Sequence, residues 1–178
     1  IVKSPGIPDS AALVRAALDK GIPVISEIEL AWRYCKGQVV GITGSNGKTT
    51  TTMLTHHILQ RAGFDVAVGG NVGNSFAGLI AEGDHEWYVL ELSSFQLDGI
   101  RTFRPRVAML LNITPDHLER YGHSMERYTA SKFRIAMNQG EGDHFIHGAD
   151  DPVITTWMDG HAITPRRWPF SIESHVPE

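Results

Sequence analysis

The chain has 178 residues, an apolar fraction of 42% and a net charge of −4, with a pI near 6.1. That length can bury most of an unfolded chain's apolar surface in one domain, or in one domain and a fragment of another, and the acidic balance argues against a large nucleic-acid or anionic-membrane footprint. The single cysteine, Cys35, excludes an intrachain disulfide framework and makes a reducing compartment, the cytoplasm, the expected location. The longest aliphatic run, Val107 to Leu111, is too short to span a bilayer, so no membrane insertion is expected. Arg101, Arg104 and Arg106 cluster and read as a solvated turn. The chain opens at Ile1, not Met, and reads as a piece excised from a longer protein.

In chain order, Ala11 to Leu18 reads as a helix capped by Asp9 or Ser10, followed by a short strand over 21–25 and a linking helix from Glu27 to Tyr34. Residues 1–36 are expected to be the end of one domain with its linker, and 37–178 a second, truncated domain. From Gly37 the alternation is regular: strand 38–43, helix 48–62 closed by Gly63, strand 64–68, a short helix after Asn74, strand 87–92 and strand 106–112. A helix over 124–138 capped by Ser124 and a strand over 143–147 follow, and 155–178 carries no clear closing element. Short, continuous apolar strands such as Trp87-Tyr88-Val89-Leu90 are how strands buried on both faces of a parallel sheet read. The expected fold is α/β, a parallel sheet flanked by helices of the P-loop nucleotide-binding type, incomplete at both ends.

The strongest local signal is Thr43-Gly44-Ser45-Asn46-Gly47-Lys48-Thr49-Thr50, placed between an apolar strand and a helix. Glycines let several backbone N–H groups converge on one anion, and the helix N-terminus adds positive potential. Lys48 is then expected to reach the terminal phosphates of a nucleotide, and Thr49 to hold magnesium. The common spacing would put a further glycine where this chain has Ile42; here the leading glycine is Gly44, three residues before Gly47.

Ligands of a parallel sheet sit beyond the carboxyl ends of its strands. Glu91 leaves its strand there and opens Glu-Leu-Ser-Ser-Phe-Gln-Leu. Alone it reads equally as a salt-bridged strand end or a metal contact, and the phosphate loop favours the metal. Asn112 opens Asn-Ile-Thr-Pro-Asp-His-Leu-Glu-Arg-Tyr, which delivers Asp116 and His117 to the same edge. His144 and His147 fall on opposite faces of a strand, and His56 and His57 lie within a helix. Lys132 reads from pattern alone as a surface lysine in mid-helix.

The short-spaced loop, the segment Glu91 to Leu97, the segment Asn112 to Tyr121 and Ala130-Ser131-Lys132 together resemble the Mur ligases over nearly the whole chain. The loop is similar to one shared by Mur and folylpolyglutamate ligases, whereas Glu-Leu-Ser-Ser-Phe-Gln-Leu resembles the branch that adds D-glutamate. Ser4-Pro5-Gly6 is similar to the end of the family's UDP-binding first domain. The resemblance implies that Gly44, Ser45, Asn46, Gly47, Lys48, Thr49 and Thr50 bind ATP, with Lys48, His117 and Lys132 catalytic. It implies two magnesium ions held by Thr49, Glu91, His117 and Lys132, the lysine as a carbamate. Gly6, Asn71, Ser93 and Gln96 would contact the UDP-muramoyl substrate. The implied reaction is ATP-dependent amide formation between UDP-N-acetylmuramoyl-L-alanine and D-glutamate through an acyl phosphate, in a monomer, as a step of peptidoglycan precursor synthesis, with this piece inactive by itself.

Three other readings compete. A nucleotide-dependent GTPase switch shares the loop, but its guanine-binding Asn-Lys-x-Asp is not matched by Asn112-Ile113-Thr114-Pro115. A catalytically silent nucleotide-binding module would lack a site residue, and every matched position is filled. A Mur or folylpolyglutamate ligase adding another amino acid is the nearest rival.

Overall fold

The computed structural model describes residues 1–173, so the last residues of the expected second domain, 174–178, lie outside the described residues. At the start, β1 (Val2–Lys3) pairs in parallel with β2 (Ile25–Ser26), with α1 (Ala12–Asp19) between them in sequence. The expected strand over 21–25 is thus only its last residue and the next. Neither expected cap acts on α1, whose first turn follows Ala11 without a side-chain bond; Asp9 is instead paired with Lys3.

α2 (Glu27–Trp32) is capped by the Ser26 hydroxyl and ends two residues earlier than its pattern implied. It joins this first segment to the rest of the molecule through Glu29, whose carboxylate is fully buried. That carboxylate accepts from the N–H groups of Arg101, Thr102 and Phe103 at 2.8, 2.9 and 3.0 Å and from the Thr102 hydroxyl at 2.7 Å. Burial opposes its ionisation, but four hydrogen bonds to the charged form outweigh it and hold its pKa below the usual glutamate value.

The main sheet contains β3 (Gln38–Thr43), β4 (Val66–Gly70), β5 (Trp87–Glu91), β6 (Val107–Leu110), β7 (His144–Gly148) and β8 (Arg166–Phe170), interleaved with α3 (Lys48–Arg61), α4 (Phe76–Glu82), the short α5 (Ser94–Leu97), α6 (Met125–Phe133) and α7 (Pro152–Gly160). The strand order is β4-β5-β3-β6-β7-β8 and every pairing is parallel. Alternate residues of the central strands feed two cores. Val39, Tyr88, Leu90, Ala108, Leu110 and Phe145 pack with Phe76, Leu97, Phe133 and Ile154 of α4, α5, α6 and α7. Val40, Ile42 and Val89 face the other way, against Leu59 of α3. Each such fully buried aliphatic or aromatic side chain contributes roughly 1.5–3 kcal/mol. Helices cover both faces as expected, but unevenly, and α3 keeps Met53, Leu54 and Ile58 exposed.

Around the main sheet the structure corrects four further expectations. β4 begins two residues later than its apolar run, because Phe64 packs edge-on against Trp87 from the connecting turn instead of entering the strand. The helix over 124–138 is α-helical only to Phe133 and tightens into a 3-10 turn over Arg134–Ala136. The tail is not featureless: α7 starts at Pro152 with Asp151 as its cap, and β8 closes the sheet edge. Arg104 and Arg106 are more than solvated, since they bond the buried Asp143 carboxylate at 2.7 and 3.4 Å. Burial opposes the Asp143 charge, but the Gly140 N–H and these two cations hold its pKa low.

Candidate nucleotide and metal site

β3 has β5 on one side and β6 on the other, so the sheet's switch point lies beyond the carboxyl end of β3, where the loop 44–47 emerges. Gly47 caps α3 with φ +81°, a conformation that a Cβ would strain. The loop is stitched to the segment after β6. The Ser45 N–H donates to the Asn112 carbonyl at 3.0 Å, the Asn46 N–H to Asn112 Oδ1 at 2.8 Å, and Asn112 Nδ2 to the Asn46 carbonyl at 3.1 Å. Ser45 Oγ donates to the Thr114 carbonyl at 2.9 Å, accepts the Thr114 N–H at 3.0 Å and lies 3.1 Å from the Tyr128 hydroxyl. Its shape is therefore set before any anion arrives.

Two lysines converge on this loop. Lys48 Nζ donates to the carbonyls of Gly44 and Ser45, both at 2.9 Å. Lys132 Nζ, carried by α6, donates to the same Gly44 carbonyl at 2.8 Å and lies 4.7 Å from the centre of the Tyr128 ring. The reading of Lys132 as a surface lysine is overturned: it is 2% exposed. Burial first, and the neighbouring Lys48 charge second, bring its pKa down to about 7.

Next to the loop, Thr49 Oγ1 donates to Glu91 Oε2 at 2.7 Å, and Asn71 Nδ2 to Glu91 Oε1 at 2.9 Å. Asn71 reaches that far because Gly70 lets β4 close against the end of β5; a Cβ there would stand 2.3 Å from the Glu91 carbonyl. Among the described residues Glu91 makes no salt bridge, and its carboxylate is held instead by the Thr49 hydroxyl and the Asn71 amide. Among the described residues no group of three or more His, Cys, Asp or Glu side chains is arranged to hold a metal. A buried carboxylate beside a threonine hydroxyl at a phosphate loop nevertheless suits magnesium, which takes one or two protein oxygens and completes its shell with phosphate and water.

The other predicted residues are more dispersed. His117 has a left-handed backbone, φ +50°, with its ring against Phe95 and Nε2 3.6 Å from the Asp116 carboxylate. It is not hydrogen-bonded to Glu91 or the loop. Ser93 and Gln96 form a reciprocal capping box, in which Gln96 Oε1 accepts from both the N–H and the hydroxyl of Ser93 at 2.9 Å. Gln96 is itself buried, 5% exposed, and among the described residues its NH2 group takes no part in this box. Gly6 is exposed in the turn closed by the Ile7 N–H on the Ser4 carbonyl at 3.0 Å. Sequence reasoning missed Tyr128, which touches both Ser45 and Lys132. Its spacing of four before Lys132 puts the two on one helix face and was the available signal.

Residues 42–176 match the family model described as the Mur ligase middle domain. The chain belongs to the Mur ligase family. It is 54% identical over 176 residues to the UDP-N-acetylmuramoylalanine--D-glutamate ligase of Christiangramia forsetii, a match covering 99% of this chain and 40% of that protein. The chain thus spans about two-fifths of the length of this relative. Among solved structures, the MurF ligase from Thermotoga maritima in complex with ADP aligns with a TM-score of 0.65 at 25% identity, over 91% of this chain and 44% of that one. The UDP-N-acetylmuramate:L-alanyl-gamma-D-glutamyl-meso-diaminopimelate ligase of Neisseria meningitides has a TM-score of 0.66 at 19% identity, over 95% of this chain and 57% of that one, and supports the Mur ligase fold alone. Among the described residues no helix is long and apolar enough to cross a membrane.

Proposed function

We propose that this chain is the nucleotide-binding part of a Mur ligase that joins D-glutamate to UDP-N-acetylmuramoyl-L-alanine at the expense of ATP. The observation that carries the reading is the convergence of Lys48 and the buried Lys132 on the Gly44 carbonyl, beside the Thr49–Glu91 pair. The names of the relatives supply the choice of D-glutamate. Residues 1–36 are read as the tail of a UDP-binding domain and 37–178 as the ATP-binding domain.

The chemistry follows from charge. The alanyl carboxylate attacks the γ-phosphorus of ATP, releasing ADP and forming an acyl phosphate; the amine of D-glutamate then attacks the carbonyl, and phosphate leaves as the amide forms. Both partners of the first step are anions, so the loop N–H groups and Lys48 offset their repulsion while holding the phosphates in line. Near neutral pH a lysine with a pKa of about 7 presents a free amine that can add to carbon dioxide and lose a proton, turning a cation into a carbamate. Magnesium, in the two positions expected, would be held by Thr49, Glu91, His117 and carbamylated Lys132, and would neutralise the transferring phosphoryl group. Asn71 and Ser93, with Gln96 through its NH2 group, would orient the muramoyl end, and Gly6 the uridine diphosphate.

Calorimetric titration of the 178-residue chain with magnesium and a non-hydrolysable ATP analogue tests the nucleotide reading: binding is expected, and a Lys48→Ala control should lose it. Supplying the full-length polypeptide with D-glutamate, L-lysine, diaminopimelate and L-alanine in turn tests the substrate. ADP release should depend on D-glutamate, and preference for any of the others overturns the assignment.

A further inference from the structure

Arg120 stands where three separate elements meet. Its Nη1 donates to the Pro5 carbonyl at 2.6 Å and its Nη2 approaches the Ile7 carbonyl at 3.5 Å, so the guanidinium clasps the backbone on both sides of Gly6 across more than a hundred residues of chain. The same guanidinium lies 4.2 Å from the centre of the Phe95 ring. Phe95 in turn carries the His117 ring on its other contacts, with centroids 5.4 Å apart. Arg120 belongs to the 3-10 turn Leu118–Tyr121 that begins directly after His117. Among the described residues the other polar ties at or beside the turn over residues 4–7 are its own Ser4–Ile7 bond and the Lys3–Asp9 pair, and its residues are mostly exposed.

We propose that Arg120 is a positioning residue for the nucleotide-sugar substrate: it fixes the Ser4–Ile7 turn in register with the His117 loop and with α5. This rests on the assignment of the first segment to the uridine-diphosphate side. A planar fork is needed, because two diverging carbonyls are bonded while the plane stacks on an aromatic ring; a lysine ammonium supplies the charge without that geometry. The clasp leaves the phosphate-loop side of the nucleotide site alone, since among the described residues Arg120 makes no bond to residues 44–49 or to Glu91, and it reaches His117 only through the Phe95 ring.

The test compares Arg120→Lys and Arg120→Ala with wild type in the full-length polypeptide. Both variants should raise KM for UDP-N-acetylmuramoyl-L-alanine about tenfold, the scale of one lost charge-assisted hydrogen bond, while KM for ATP and kcat at saturation stay within about twofold. Equal rises in both KM values, or a fall in kcat with KM unchanged, would overturn the proposal. If Arg120→Ala does not fold, Arg120→Lys decides by itself: a KM equal to wild type removes the requirement for the fork. Wild type that shows no D-glutamate-dependent turnover would instead defeat the reading beneath it, which the amino-acid panel detects independently.

Discussion

The two walls of the site are built differently. On the phosphate side, the loop 44–47, Thr49, Glu91 and Lys132 are tied by short hydrogen bonds to strand ends or to one another, and Glu91 and Lys132 are each 2% exposed. On the side proposed for the substrate, Gly6 and Phe95 sit on a turn and a four-residue helix, joined to each other and to the left-handed His117, the proposed metal ligand, mainly by the Arg120 fork and ring contacts. A parallel sheet fixes its own strand ends, so the half of the site that every nucleotide-dependent relative needs can be preorganised by the fold. The half proposed to select a substrate is carried by elements the sheet does not hold, and it depends on individual side chains.

The joint between the first segment, which carries Gly6, and the rest of the molecule should be the most sensitive point. Glu29→Ala leaves three inward-facing N–H groups of Arg101, Thr102 and Phe103 without their acceptor, and the expected loss is roughly 3–5 kcal/mol in chemical denaturation. Because the folded-state pKa of Glu29 is lowered, its contribution is complete above the unfolded value near 4.5 and is lost as pH falls through the folded one. The gap between wild type and variant should therefore narrow on acidification below about pH 4.5. A gap independent of pH over that range would show that the ionised form is not what matters.

On the phosphate wall, Lys48→Ala should leave stability nearly unchanged, since among the described residues Lys48 bonds only carbonyls of its own loop. Affinity for the ATP analogue should fall about a hundredfold, the scale of one or two charge-assisted contacts to phosphate. Lys132→Met should behave in the opposite way. Replacing a buried amine whose charge is disfavoured by a thioether of similar length is expected to raise stability by about 1–2 kcal/mol at pH 7, while turnover of the full-length polypeptide is lost. A variant that is both more stable and fully active would remove Lys132 from the mechanism.

How much of this was legible in the sequence follows the same division. The phosphate loop was readable because its parts are consecutive, and Glu91 and Asn112 because strand ends are predictable from apolar runs. Glu29 and Arg120 were not, since their partners lie far away in the chain and no local period marks them. Lys132 reads as exposed because its helix looks polar overall, and only packing against Tyr128 and the loop reveals its burial. β8 escaped notice because Arg166-Arg167-Trp168-Pro169-Phe170 lacks an apolar run; at an edge, charges and a proline are tolerated. α7 did carry a signal, Asp151-Pro152, an N-cap followed by proline in the first turn.

The smallest effect expected lies on the substrate wall, at Ser93. Its hydroxyl proton is already committed to Gln96 Oε1, and its oxygen receives the Gln96 N–H at 3.3 Å, so most of its bonding serves to start α5. Ser93→Ala should lower stability by about 1 kcal/mol, as for other N-caps. The tilt of α5 would then loosen Phe95 under Arg120, and KM for the UDP substrate should rise by less than the Arg120 variants produce. Ser93→Thr, which keeps the capping oxygen, should restore both values. If Ser93→Ala raises KM as much as Arg120→Ala while stability is unchanged, the hydroxyl contacts the substrate directly and the substrate wall is less dependent on scaffolding than its exposed elements imply.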